Sequence, residues 1–146
     1  MTKKRVPANV QRLVRRRAHG YCEYCICPEF CATQWHAIEH ILPESQGGKS
    51  TEDNLALACQ GCNGSKYNKT HALDATSNQM VPLFHPQRDT WHMHFVWSPD
   101  YLHLIGLTPK GRATIRELDL NREGIVYLRR LLLLNREHPP AHRSSS

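Results

Sequence analysis

The chain has 146 residues, a length that fits one domain with a small appendage. Its formal net charge is +6, and seven lysines and arginines fall within the first seventeen residues, ahead of the first acidic residue, Glu23. No apolar stretch is long enough to span a bilayer, and the start "MTKKRVPANV" lacks the apolar segment of a secretory signal. These features argue against membrane and secreted proteins, so we expect a cytoplasmic protein with no membrane partner.

The first twenty residues are predicted to be a flexible arm, residues 1–7, followed by a short helix that ends near Gly20. Apolar residues recur at helical spacing, at Val10, Leu13, Val14 and Ala18. The other face carries the basic residues Arg12, Arg15 and Arg16. A basic face of this kind is typical of nucleic-acid contact, although a solvated, solubilising tail stays open as an alternative.

The segment up to residue 70 alternates turns with short elements. Residues 26–33 are expected to form an irregular loop, and residues 33–43, rich in β-branched and aromatic residues, a strand that ends at a proline. Residues 44–54 are turn-forming. Ser50 or Thr51, followed by acidic residues, forms a capping pattern that predicts a short helix within residues 50–59. A second, polar helix is predicted from about Asn63 to Thr70.

The rest of the chain is predicted to be a β-hairpin followed by helices. "DTWHMHFVW" (89–97) alternates apolar and polar residues, "SPD" is a turn, and "YLHLIGL" is the returning strand. The apolar face of the first strand carries Trp91, Phe95 and Trp97, which we interpret as core residues. Thr108 at an N-cap and Pro109 after it begin a helix, and residues 121–137 form the last one. Residues 138–146 are expected to be a disordered tail.

Four cysteines have the spacing of a metal site. Cys22-x2-Cys25 and Cys59-x2-Cys62 are separated by 33 residues, and two such turns supply the tetrahedral sulfur ligands that zinc prefers. In a reducing compartment, cysteines indicate metal binding rather than disulfides. We interpret Cys27 and Cys31 as spare loop thiols, and substitution of one of them for a ligand stays open.

These cysteines enclose a set of motifs: "CEYC", "EHILPESQGG", "NLALACQGCN" and then Lys66. Together they resemble the HNH endonucleases, as an HNN-type variant with a four-cysteine zinc site. The resemblance implies an α+β fold: a small ββα-metal (His-Me finger) nuclease core over residues 21–72, braced by zinc. A β-hairpin plus helical extension would follow over residues 73–137. It also implies metal-dependent hydrolysis of double-stranded DNA that leaves 5′-phosphate ends, with RNA as an open alternative.

The resemblance also implies roles for single residues. His40 would be the general base, and Asn54 would hold the loop and orient His40. Glu39, where the family usually has aspartate, and Asn63, where it often has histidine, would hold Mg²⁺ or Mn²⁺ through oxygen atoms. Lys66 would hold a neighbouring phosphate or else be a solvent lysine. One difficulty is geometric, because neighbours on a regular strand, such as Glu39 and His40, point to opposite faces.

Two questions stay open from the sequence. A zinc-braced nucleic-acid-binding module without catalysis is the alternative function, in which Asn63 would mark the loss of the catalytic ion. The final apolar helix could close the core of a monomer, which we favour slightly, or form the face of a dimer.

Overall fold

The computed structural model describes residues 5–141. Its five helices are α1 (Ala8–Arg17), α2 (Gln60–Lys66), α3 (Trp91–His94), α4 (Pro109–Leu118) and α5 (Glu123–Leu134). Its six strands are β1 (Ala37–His40), β2 (Leu55–Ala58), β3 (His71–Asp74), β4 (Gln79–Pro82), β5 (Phe95–Trp97) and β6 (Leu104–Gly106). Mixed helices and small antiparallel sheets confirm the α+β class. None of the helices within residues 5–141 is long and apolar enough to cross a membrane.

The chain divides into two compact units. The first contains the residues up to Thr70 together with His85–Arg88, and the second contains His71–Phe84 and the residues from Asp89 onward.

In the first unit, β1 and β2 form an antiparallel pair that leads directly into α2. The register places Ala37 opposite Ala58 and His40 opposite Leu55. Apolar side chains from β2, from α1 and from the residues that flank α1 form its core: Val6, Val14, Ala18, Leu55 and Leu57. The order strand, strand, helix is the ββα arrangement expected from the resemblance.

The capping pattern at residues 50–59 does not begin an α-helix, so that prediction is wrong. It forms a single 3-10 turn, Glu52–Asn54, and Leu55–Ala58 then form β2. Every residue of β2 is buried, which a short amphipathic helix cannot achieve but a strand covered on both faces can. The second helix is also shifted, because Cys59 caps α2 through its sulfur and Tyr67, at φ +51°, ends it before Thr70.

The strand predicted over residues 33–43 is reduced to Ala37–His40. On its N-terminal side the His36 N–H donates to the Glu29 carboxylate at 2.8 Å instead of to a neighbouring strand. The helix before Cys22 forms as predicted, and Gly20, at φ +75°, follows its end and donates to the Arg15 carbonyl. Of the predicted flexible arm, residues 1–4 lie outside the described residues, whereas Val6 is buried in the core.

The second unit contains two hairpins. Strands β3 and β4 pair antiparallel, an element that we did not predict, and β5 pairs with β6. The predicted strand over residues 89–97 is wrong in its first half, because Trp91–His94 form α3 and only Phe95–Trp97 are extended. The aromatic residues still pack together, with the ring of Trp91 centred 5.5 Å from that of Phe95 and 5.9 Å from that of Trp97.

The helical part of the second unit follows the sequence signals more closely. The Thr108 hydroxyl accepts a hydrogen bond from the Gly111 N–H and Pro109 is the first residue of α4, as predicted. The tail prediction is wrong at its start: His138 is 5% exposed and its Nε2 lies 2.7 Å from the Tyr101 carbonyl oxygen. Residues 142–146 lie outside the described residues.

Candidate metal centre and basic cleft

The four predicted cysteines converge on one point in the first unit. Their sulfur atoms all lie within 4.8 Å of one another, and all four residues are buried. The Cys25 and Cys59 sulfurs are 3.6 Å apart. A tetrahedral ion with metal–sulfur bonds of about 2.3 Å separates its ligands by roughly 3.8 Å, so the cluster fits zinc. Cys27 and Cys31 are not members of it.

Tight turns and backbone N–H groups fix the positions of these sulfur atoms. The Cys22 N–H donates to the Cys27 carbonyl, which closes a tight turn in which Ile26 adopts a positive φ of 67°. The N–H groups of Tyr24 and Cys25 point at the Cys22 sulfur at 3.4 Å, and the Cys62 N–H points at the Cys59 sulfur at the same distance. Donors arranged in this way stabilise sulfur as thiolate.

The thiols strongly influence one another. Burial raises the pKa of Cys22 well above its ordinary value, whereas hydrogen bonds from Cys22, Cys25 and Cys62 lower the pKa of Cys59. Four thiolates cannot coexist in this volume without a cation. A divalent ion would displace the remaining protons and supply that charge, and its binding would then stabilise the fold.

His40 lies at the end of β1 with its ring against two polar side chains. Its Nε2 atom is 2.9 Å from the Ser50 hydroxyl oxygen and 3.2 Å from Glu44 Oε1. A carboxylate can only accept a hydrogen bond, so the Nε2 atom carries a proton and donates in its contact with Glu44. Neither residue was predicted to contact His40, because Glu44 lies in a stretch interpreted only as turns and Ser50 was considered only as a possible helix cap.

Asn54 holds the loop that joins β1 to β2. Its Oδ1 accepts from the Leu42 N–H at 2.9 Å, and its Nδ2 donates to the carbonyls of Leu42 at 3.0 Å and Lys49 at 2.9 Å. Gly48 is required beside it, because a Cβ there would lie 1.7 Å from the Leu42 carbonyl oxygen. None of these three bonds goes to His40, so any orienting effect of Asn54 acts through the loop.

Glu39 points to the opposite face of β1 from His40, which is the geometric difficulty noted in the sequence. It is buried, and the Tyr24 hydroxyl donates to its Oε1. The Lys66 ammonium lies 3.1 Å from its Oε2 and also donates to the Ile41 carbonyl at 2.9 Å. Burial raises the pKa of Glu39, and the nearby charge of Lys66 opposes that rise.

Two expectations change as a result. Lys66 is 1% exposed, so it is not a solvent lysine, and its ammonium is directed at Glu39 rather than toward a phosphate. The Glu39 carboxylate already has a cation and a hydroxyl donor on its two oxygens, so it does not fit as a ligand for Mg²⁺ or Mn²⁺ in this arrangement. Asn63 is half-buried on α2, and its backbone carbonyl accepts a hydrogen bond from the Tyr67 N–H.

A basic cleft opens beside His40. It has a volume of about 320 Å³ and lies between α1, the segment before it, and one face of β1. Its lining residues are Arg5, Val6, Gln11, Arg15, His36, Ile38 and His40. Residues 36, 38 and 40 share this face because side chains alternate along a strand.

The cleft contains one buried polar atom without a partner. His36 is 2% exposed; its Nε2 donates to the Cys27 carbonyl at 2.9 Å, and its Nδ1 has no hydrogen-bond partner among residues 5–141. Buried polar atoms normally have partners, so this nitrogen is an exception to the usual pattern. Of the three predicted basic residues of α1, Arg15 lines the cleft, whereas Arg12 and Arg16 are exposed outside it.

Comparison with known proteins agrees with the motifs. The family model described as HNH endonuclease matches residues 22–69. No curated protein and no solved structure matches the chain. Residues 22–69 are therefore similar to an HNH endonuclease domain, and in this chain they carry a buried cluster of four cysteines that could hold zinc.

Proposed function

We propose that this protein is a metal-dependent HNH-type endonuclease that hydrolyses phosphodiester bonds of DNA, with His40 as the general base. The HNH match implies a nuclease-type function and action on nucleic acid. The observation that carries the finer proposal is the position of His40 at the wall of a cleft that also contains Arg5 and Arg15.

His40 has the environment of a base that acts on water. Because Nε2 is directed at Glu44 and Ser50, we propose the other ring nitrogen of His40 as the acceptor of the proton from the attacking water. As that proton arrives, the ring becomes positively charged, and the Glu44 carboxylate 3.2 Å away stabilises the charge. Ser50 and Glu44 thereby act as positioning residues.

The arginines of the cleft supply the charge that a phosphate requires. Guanidinium groups bind phosphate through paired N–H donors, and in a cleft their field is weakly screened. Arg15 is held in place by its Nη2 bond to the His36 carbonyl at 3.1 Å. The exposed Arg12 and Arg16 would contact the DNA backbone further along, where contacts position the polymer without reading its sequence.

The catalytic cation needs ligands other than those first expected. Mg²⁺ or Mn²⁺ held by Glu39 does not fit the buried Glu39–Lys66 pair, so no step is assigned to it. The same observation favours the second candidate function, a zinc-braced nucleic-acid-binding module without catalysis. In that case the cleft binds phosphate, and Lys66 has taken the place of the catalytic ion beside Glu39.

Plasmid nicking separates the two functions. Purified zinc-loaded protein is incubated with supercoiled plasmid and Mg²⁺, Mn²⁺, Ni²⁺ or EDTA, beside His40→Ala, and its zinc content is measured after each incubation. Cleavage that needs a divalent ion and is lost in His40→Ala supports the endonuclease. Plasmid that is bound and never cut under any of these ions would establish the binding module, and an unchanged rate in His40→Ala would exclude His40 as the base. Single-stranded and double-stranded RNA are tested in the same way.

A further inference from the structure

The loop between the zinc site and β1 forms an open groove that the proposed reaction does not use. The groove has a volume of about 450 Å³, within the usual range for small-ligand sites, and its lining consists of Glu29, Phe30, Ala32, Thr33, Gln34 and Trp35. Two large aromatic side chains stand in it with most of their surface in water, Phe30 at 67% and Trp35 at 76% exposure. Exposed aromatic residues gathered at one concave place mark an interaction site.

Polar contacts hold the groove-lining segment at both of its ends. The Glu29 carboxylate accepts from the His36 N–H at 2.8 Å and lies 3.5 Å from Arg15 Nε. On the other side, Gln60 Nε2 donates to the Trp35 carbonyl at 2.8 Å. The two aromatic residues are therefore presented by a braced loop, which reduces the entropy lost when a ligand orders them.

The same bonds join the groove to the basic cleft. Arg15 and His36 line the cleft beside His40, and both are bonded to Glu29, which lines the groove. The negative charge of Glu29 is thus already offset by Arg15. A residue of the groove lining, Glu29, therefore contacts two residues of the cleft lining.

We propose that Phe30 and Trp35 form a stacking site for unpaired nucleobases of a nucleic-acid strand whose phosphates lie in the basic cleft. This inference rests on the proposed nucleic-acid function, and it names the preferred form of the substrate as single-stranded or locally opened. Bases inside an intact duplex already stack on their neighbours, so their faces are not available to side chains. Stacking on aromatic side chains is tolerant of sequence, because every base has a π-face.

The test measures binding without cleavage, in zinc-loaded protein with no added divalent ion. A fluorescent single-stranded oligothymidylate and a mixed-sequence duplex of equal length are titrated by anisotropy against the natural chain and against Trp35→Ala, Trp35→Phe and Phe30→Ala. Tyr127→Ala is the matched control, since Tyr127 is an aromatic residue of α5 that is 61% exposed and does not line the groove. Sedimentation reports the mass of each variant.

We expect Trp35→Ala and Phe30→Ala each to weaken single-strand binding by about 5- to 150-fold, as removal of one stacking partner does. Duplex binding should change less, Trp35→Phe should keep most of the affinity, and Tyr127→Ala should behave as the natural chain. The dependence on salt should stay unchanged in the aromatic variants, because counterion release follows lysine and arginine contacts.

Three results would overturn the inference. One is unchanged single-strand affinity in both alanine variants, and another is an equal loss for single strand and duplex. The third is a fall in molar mass in Trp35→Ala, which would make the groove a contact between copies of the chain. If the natural chain binds neither nucleic acid, the proposed function fails as well; if it cuts plasmid while the groove variants bind normally, only the stacking site fails.

Discussion

The buried pair of Glu39 and Lys66 gives the sharpest test of the fold. At the observed 3.1 Å and an effective dielectric of about 20, the two charges attract each other by about 5 kcal/mol, and this attraction offsets the cost of removing both from water. Glu39→Gln leaves the ammonium unpaired, and Lys66→Met leaves the carboxylate unpaired. Each change should lower the free energy of unfolding by about 3–5 kcal/mol.

The double variant Glu39→Gln/Lys66→Met should recover most of this loss. It buries no charge, and Tyr24 can still donate to the glutamine side-chain oxygen. What remains is the loss of the Lys66 bond to the Ile41 carbonyl, worth roughly 1–3 kcal/mol. The double variant is expected to fold even if one of the single variants does not, so its stability can still be measured and compared with that of the natural chain.

Urea denaturation of zinc-loaded protein, followed by circular dichroism, measures these differences. The half-exposed pair of Lys110 and Asp89 is the control, and Lys110→Met should cost no more than about 1 kcal/mol. A double variant that is as unstable as the sum of its two singles would refute the coupling. Metal-dependent cleavage by the folded double variant would also show that Glu39 is not needed as a metal ligand.

The pH dependence of Lys66→Met follows from the same pair. Burial raises the pKa of Glu39 above its ordinary value of 4.5, and without Lys66 only the hydrogen bond from Tyr24 still opposes that rise. A group with a raised pKa in the fold contributes stability at pH below 4.5 and loses that contribution as the pH increases through its folded pKa. Lys66→Met should therefore be closest to the natural chain in acid and fall behind it as the pH rises, and a constant difference would contradict this assignment.

Three further changes test other parts of the structure. Cys62→Ser should lose bound zinc and unfold, since structural zinc supplies folding energy, while Cys31→Ser, outside the cluster, should keep both zinc and fold. Elemental analysis and melting curves measure zinc content and stability. A stable zinc-free protein would rule out the structural zinc site. Gly48→Ala should destabilise the first unit by about 1–3 kcal/mol or more in urea, because its Cβ would overlap a backbone carbonyl, and an unchanged midpoint would be inconsistent with the loop geometry. Hydrogen bonds from Arg112 hold the pKa of Asp74 below its usual range, so Asp74→Asn should be less stable than the natural chain at neutral pH and approach it as the pH falls below 3.8; parallel urea titrations at several pH values decide.

Local sequence signals correctly predicted the elements that depend on contacts between residues close together in the chain. The helix at Thr108 and Pro109 begins where its capping residues place it, since these act through bonds within one turn. The predictions that were wrong concern segments whose structure depends on residues distant in the sequence. Leu55–Ala58 follow a helix-capping pattern but form a strand, because they pair with β1 and are buried. Residues 91–97 alternate like a strand, yet Trp91–His94 form a helical turn that still buries Trp91 and Phe95.

The candidate site shows the same division. The four cysteines could be assigned from spacing, because a two-residue gap limits where two sulfurs can point. The partners of His40 could not, since Glu44 and Ser50 lie in a stretch of turn residues that resembles any polar loop. Arg5, Gln11 and His36 likewise form one cleft wall only when α1 lies beside β1.

By itself, the sequence determined which four cysteines form the candidate metal cluster, the HNH motif and the basic character of the first helix, because each depends on residue type and short spacing. The tertiary structure decided which of these groups meet. Alternation along β1 directs His40 into the cleft and Glu39 into the interior, where only the position of α2 brings the Lys66 ammonium to it. A carboxylate in water is an available metal ligand, whereas the same carboxylate buried against an ammonium is part of the scaffold.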